Sequence, residues 1–168
     1  GDNINTAISI AKETNIITSK TDLALTSTEF NKLSNEEIIK IYPHLKVIAR
    51  ALPNDKSRLV KILKDNNQIV GMTGDGINDA GALKLANVGF AMGSGTEVSK
   101  EAADIIILDN NIKSITKAVL FGRTIFKSIR KFIIFQLTVN ICAMIMAIIG
   151  PILNLGTPVT VIQMLWIN

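Results

Sequence analysis

Apolar residues follow two regimes along this chain. In the front part, short apolar runs recur between polar stretches: "KVIA" (46–49), "QIVGM" (68–72), "VGFAM" (88–92) and "DIIIL" (104–108). Each is short, mostly β-branched and bounded by loop residues, which predicts strands. Segments of helical pattern lie between them, near 34–41, 54–65, 78–86 and 96–102. Strand–helix alternation with nearly continuous apolar strands predicts an α/β fold, its parallel sheet covered on both faces. Ligands of such sheets bind at the carboxyl ends of the strands.

The rear part is different. "FIIFQLTVNICAMIMAII" (132–149) runs 18 residues without a charge, near the lower limit for spanning a hydrocarbon core of ~30 Å. Gly150-Pro151 predicts a break, "ILNLGTP" a short turn, and "VTVIQMLWIN" a second apolar run too short to span, so the sequence reads as a fragment.

Charge sharpens this division. The formal net charge is +4 over 168 residues, and no Asp, Glu, Lys, Arg or His occurs from Phe132 to Asn168. A buried helical hairpin in a soluble protein is the competing reading of the rear part. The uncharged arms argue against it, as does the basic cluster Arg123, Lys127, Arg130 and Lys131 just ahead of the first arm. By the positive-inside rule that cluster stays cytoplasmic, and the front part with it. A single cysteine, Cys142, excludes an internal disulfide framework. Membrane lipid is an expected partner and nucleic acid is not.

One heptapeptide occurs nearly twice. "GDNINTA" opens the chain at 1–7 and "GDGINDA" stands at 74–80, with the extra carboxylate Asp79 in the second copy only. The second follows a predicted strand and opens a predicted helix. Gly74 and Gly76 let backbone approach a ligand closely. Asp75 and Asp79 bring two hard oxygen donors near one point, which suits Mg²⁺ with phosphate oxygens. Asn78 adds an amide donor for a phosphoryl oxygen. Helix capping explains one aspartate but not the pair. A dinucleotide fingerprint fails, since Asp79 stands where a third glycine belongs and "GSGTEV" (93–98) departs similarly. Lys56, in the first turn of the helix over "PNDKSRLVKILKD", opposes the helix dipole there, which favours an anionic partner. Leu59, Ile62 and Leu63 form that helix's expected buried stripe.

The stretch "TGDGINDAGALKLANVGFAMGSGTEVSKEAADIIILDNN", continuing to "GRTIFKSIRKFIIFQLTVN", resembles the P-type ATPases, the phosphorylated cation pumps. Within them it is similar to calcium pumps of the plasma-membrane type and their bacterial relatives, over essentially the whole chain. The resemblance implies a haloacid-dehalogenase-like phosphorylation domain over 1–109 and a cytoplasmic stalk over 110–131. It further implies a transmembrane helix over 132–150 and the start of another over 158–168. Asp75 would hold the catalytic Mg²⁺ with Asp79 in support, and Lys56 and Asn78 would contact the phosphoryl group. Gly1 and Asp2 would stand beside ATP, with Arg50 at another nucleotide position. Copy one of the heptapeptide would thus serve nucleotide, and copy two the metal.

The implied activity is ATP hydrolysis coupled to Ca²⁺ transport in the parent pump, with its actuator and nucleotide-binding domains and other membrane helices as partners. Asn140 and Asn168 would offer amide oxygens to Ca²⁺, against a competing role for Asn140 in an interhelical hydrogen bond. Two departures stand out. Gly81 replaces the family's usual proline, and no aspartate lies in a DKTGT context, Asp22 and Asp109 included. The phosphorylated aspartate must then come from elsewhere in the parent chain, and this segment alone is expected to be inactive. The alternatives are a P-type pump for another cation and, in a different class, a soluble haloacid-dehalogenase-type phosphatase.

Overall fold

The computed structural model describes residues 3–153. Gly1, Asp2, Asn168 and the expected second membrane arm over 158–168 therefore lie outside the described residues. The chain divides into two units, Gly1–Ser114 and Ile115–Asn168.

In the first unit, helix α1 (Ile4–Glu13) precedes β1 (Leu23–Thr26), α2 (Ser27–Lys32), α3 (Asn35–Ile41) and β2 (Leu45–Ala49). Then follow α4 (Pro53–Asp65), β3 (Gly71–Gly74), a 3₁₀ turn (Ile77–Asp79) and α5 (Ala80–Leu85). Strand β4 (Val88–Met92), α6 (Glu97–Ala102) and β5 (Ile105–Ile107) complete it. All pairings are parallel, β1 with β2 and β3 with β4 and β5. The single covered sheet expected from the pattern is thus present as two ladders, with no ladder bond between β2 and β3 among the described residues.

Strand β1 and helix α2 have no counterpart in the apolar pattern. "LALT" runs into a strong helix start instead: Thr26 caps α2, accepting from the Glu29 N–H at 3.2 Å while Glu29 accepts from the Thr26 N–H at 2.8 Å. Ser34 and Glu37 build the same reciprocal cap on α3. Strand β3 lies later than the expected 68–72. Gln68 N–H closes the end of α4 on the Leu63 carbonyl at 3.0 Å, and Val70 N–H donates to Asn87 Oδ1 at 2.9 Å. Those donors are spent before the ladder begins.

Two clusters hold α4 in place. Phe30, Ile38 and Ile62 pack with Leu45, Ile48 and Leu59 on one side; Val60, Ala82 and Ala86 pack with Val70 and Met72 on the other. Val60 thus joins the buried positions of α4, while Leu63 is only half-buried. Each fully buried aliphatic or aromatic side chain contributes about 1.5–3 kcal/mol, so α4 is anchored from two directions.

The second unit is dominated by helix α7 (Ile112–Ile152), 41 residues long, or about 60 Å at the α-helical rise. Its mean hydropathy reaches 2.4 over eighteen residues, none of them buried, so it is long and apolar enough to cross a membrane. Gly150-Pro151 does not break it where expected. Pro151 sits inside the last turn, the helix ends at Ile152, and Leu153 N–H still donates to the Ile149 carbonyl at 3.0 Å. One missing N–H so close to a terminus removes a single helical bond.

Candidate functional site

The carboxyl ends of β2 and β3 carry most of the sequence-predicted residues. Beyond β2, exposed Arg50 adopts a left-handed backbone at φ 51° and turns the chain towards α4. Pro53 occupies the first position of α4, where its fixed φ suits the helix and its missing N–H costs nothing. Asp55 is buried at 2% exposure. It accepts from Leu52 N–H at 2.8 Å, Ser27 Oγ at 2.6 Å and Asn31 Nδ2 at 2.7 Å, tying the start of α4 to α2. Arg58 adds a second tie, donating to the Leu33 carbonyl at 2.7 Å with its guanidinium 5.3 Å from the Phe30 ring centre. Neither Asp55 nor Arg58 carried a sequence signal beyond ordinary helix-start polarity.

These ties fix Lys56, whose ammonium meets Asp79 Oδ1 at 2.5 Å. Asp79 Oδ2 accepts from the N–H groups of Gly76 at 3.3 Å and Asp75 at 3.4 Å, closing the loop back on β3. Burial works to raise the Asp79 carboxyl, but the Lys56 ammonium and the Gly76 and Asp75 amides outweigh it and hold it below the usual carboxylate range. Gly74 is required here: a Cβ at that position would stand 2.8 Å from Asp79 Cγ and 2.9 Å from Oδ2. Both Asp79 oxygens are therefore occupied by protein donors.

Asp75 is the opposite case. Its side chain is exposed and makes no hydrogen bond among the described residues, and Asn78 is exposed beside it in the chain. No group of three His, Cys, Asp or Glu side chains gathers among the described residues. The loop thus offers one uncommitted carboxylate. That donor set fits Mg²⁺, which takes one or two carboxylates and fills its remaining positions with water and phosphate oxygens.

Asp22 and Asp109 serve local turns. Asp22 Oδ2 accepts from Thr18 N–H at 2.8 Å and Ser19 N–H at 2.9 Å. Asp109 takes Asn111 N–H at 3.2 Å and Ser114 Oγ at 2.6 Å. Asn140 lies on α7 with an exposed side chain.

Between the two ladders, β2 (Leu45, Val47), α4 (Lys56, Leu59) and the β3 segment (Val70, Met72) line a cleft of about 490 Å³. Lys56 stands at this cleft and also reaches Asp79.

Comparison with known proteins bears on the family of the chain. Residues 56–119 match the family model of haloacid dehalogenase-like hydrolases. The whole chain aligns with plasma membrane calcium-transporting ATPase 4 of Bos taurus at 49% identity and with plasma membrane calcium-transporting ATPase 1 of Homo sapiens at 48%. It spans 15% of the length of each. The catalytic domain of a CPx-ATPase, a solved structure, superposes with a TM-score of 0.44 at 32% identity, over 71% of this chain and 45% of that one. With its whole length aligned to these relatives, this chain belongs to the P-type ATPase family.

Proposed function

We propose that this chain forms the metal- and phosphate-binding end of the phosphorylation domain, the stalk and a membrane helix of an ATP-driven calcium pump. The observation that carries the reading is the contrast within one loop. Asp75 is uncommitted at the carboxyl end of β3, while its neighbour Asp79 is spent on holding Lys56.

The division of labour follows. Asp75 would hold Mg²⁺, which when bound neutralises charge on the phosphoryl oxygens. Asp79 anchors Lys56 so that its ammonium, carrying three donors, retains two for phosphoryl oxygens. A fixed cation at that point stabilises negative charge that develops during transfer, without reorganising to do so. Asn78 presents an amide to the same group. Gly1, Asp2 and Arg50 are proposed to serve the nucleotide, and Asn140 and Asn168 to give amide oxygens to transported Ca²⁺. The front unit is cytoplasmic on this reading, with α7 entering the membrane behind its basic cluster.

The phosphorylated aspartate is proposed to come from the remainder of the parent chain. The cleft between β2 and β3 supports this. It is flanked by two parallel strands not bonded to each other and has Lys56 at its wall, so a parallel strand seated there would end near the phosphate-binding groups.

The decisive experiment is Asp75→Asn in the full-length pump, which removes charge and nearly keeps shape. Acid-stable phosphoprotein should disappear, and wild-type levels of it would sink the assignment. A soluble phosphatase is the reading from another class. It predicts turnover by residues 1–131 alone that is lost with Asp75→Ala, whereas a pump segment shows none.

A further inference from the structure

We infer that the glycine loop at 93–96 and Ser99 form a mount that fixes the backbone of Asp75, and thereby aims its carboxylate. The inference rests on the reading of Asp75 as a metal ligand. It concerns "GSGTEVS" (93–99), the second glycine-rich motif, which has no part in the functional reading so far.

The Asp75 carbonyl accepts two hydrogen bonds from this segment, from Thr96 N–H at 2.9 Å and from Ser99 Oγ at 3.2 Å. Ser99 is fully buried, and its single hydroxyl proton is shared between the Asp75 carbonyl and the nearer Thr96 carbonyl at 2.7 Å. On its other side, Asp75 N–H donates to Asp79 Oδ2. The peptide groups flanking the Asp75 Cα are therefore both held, while the side chain between them is free. Contact is too close for any side chain on Gly95: a Cβ there would stand 2.9 Å from the Asp75 carbonyl oxygen, the Met92 carbonyl oxygen and Ser99 Oγ alike. The loop is itself braced, Gly93 N–H on the Ile107 carbonyl at 2.8 Å and Ser94 N–H on Asn110 Oδ1 at 2.9 Å. A buried hydroxyl is costly to place unless its bonds are used. Here they link Thr96 to the carbonyl of the one residue whose carboxylate is uncommitted.

Ser99 and Gly95 are positioning residues and touch no substrate. A metal with strict octahedral demands is sensitive to such positioning. Losing the Ser99 bond should weaken metal binding by up to about fivefold, the worth of one neutral hydrogen bond. Gly95→Ala forces the Asp75 carbonyl to shift and should weaken it further.

The test is Mn²⁺ binding by electron paramagnetic resonance, on the full-length pump with beryllium fluoride standing in for the phosphoryl group. The signal of interest is the fraction absent from Asp75→Asn. Ser99→Ala should raise its Kd by a measurable factor of up to about fivefold with unchanged far-ultraviolet circular dichroism and unchanged ATP affinity. Lys100→Ala, on the same helix but paired with Glu97 at 2.9 Å, should leave it at the wild-type value. Wild-type Mn²⁺ affinity in Ser99→Ala would overturn the mount, as would equal weakening in Lys100→Ala. If Asp75→Asn itself binds Mn²⁺ like wild type, the metal reading of Asp75 fails instead.

Discussion

The Lys56 ammonium lies 2.5 Å from Oδ1 of the buried Asp79 carboxylate, joining the first turn of α4 to the loop that follows β3. Either residue alone would be poorly placed, since Asp79 is largely out of water and Lys56 stands at the wrong end of a helix dipole.

Separating the pair therefore has two effects. Lys56→Ala should slow phosphoenzyme formation by about 100-fold or more, the usual cost of removing a preorganised charge stabiliser. It should also destabilise the domain by about 1–3 kcal/mol, because Asp79 keeps its burial and loses its counter-charge. Rapid-quench phosphorylation and thermal unfolding of the full-length protein measure the two separately. Normal phosphorylation rates in Lys56→Ala would mean that the lysine serves structure only.

Asp55 gives a prediction in pH. Burial alone would raise its carboxyl, but the Ser27 hydroxyl, the Leu52 N–H and the Asn31 amide hold it below the ordinary 3.8. A depressed folded-state value contributes stability that is present above the unfolded value, and that is lost as pH falls through the folded one. Asp55→Asn should then lower stability at neutral pH by about 1–3 kcal/mol and flatten the acid flank of the stability curve below about pH 4. Denaturation midpoints of wild type and variant across pH 3 to 7 read both. Parallel curves would exclude the carboxylate's role.

Gly81 invites a gain. It occupies the second position of α5, where proline's fixed backbone is pre-organised. A Cβ there would meet only Ser57 Oγ at 3.1 Å, the tip of a side chain that can rotate. Gly81→Pro should stabilise the domain by about 0.5–1 kcal/mol, chiefly by restricting the unfolded chain. A drop in the unfolding midpoint would show that the Gly81 N–H or Ser57 matters more.

Transport stoichiometry can be addressed from α7. Asn140 and Ala143 lie three residues apart on it and so share a face, and two-site calcium pumps that the sequence resembles carry a carboxylate at the second position. Ala143 offers no side-chain oxygen, so on the proposed calcium reading one ion position would lack a charged ligand. Occluded ⁴⁵Ca per phosphoenzyme in the reconstituted pump should be about one by this ligand argument. A ratio near two would show that another residue supplies the oxygen.

Much of this arrangement was legible in the sequence where local pattern and local structure coincide. Strands β2, β4 and β5, helix α4 and the loop of Asp75 each follow from apolar periodicity or from glycine and aspartate spacing. The rest depended on distant partners. Nothing near "LALT" marks it as a strand, because its ladder partner is β2, about twenty residues on. The sequence reading sets Asp75 and Asp79 at one metal site, Asp79 in support, while the fold separates their partners: Lys56, 23 positions from Asp79, claims that carboxylate, and Asp75 is left without a side-chain hydrogen bond among the described residues. Asp55 and Ser99 were illegible for the same reason. Their importance lies in the α2 hydroxyl and amide and in the Asp75 carbonyl that they meet across the domain.

The cleft between β2 and β3 has a consequence for biosynthesis. On the proposal that a strand from the parent chain fills it, each flanking edge offers, until then, backbone donors and acceptors that an edge of another nascent copy can match. Seating a parallel strand between two ladders is a non-local event: long loops must close before any new bond forms. Exposed apolar residues nearby, such as Ile69 at 85% exposure, add to the hazard in that interval. On that proposal the domain is most vulnerable to self-association while it is being made. Variants that slow closure of the cleft would lower the yield of pump without altering the turnover of the molecules that mature.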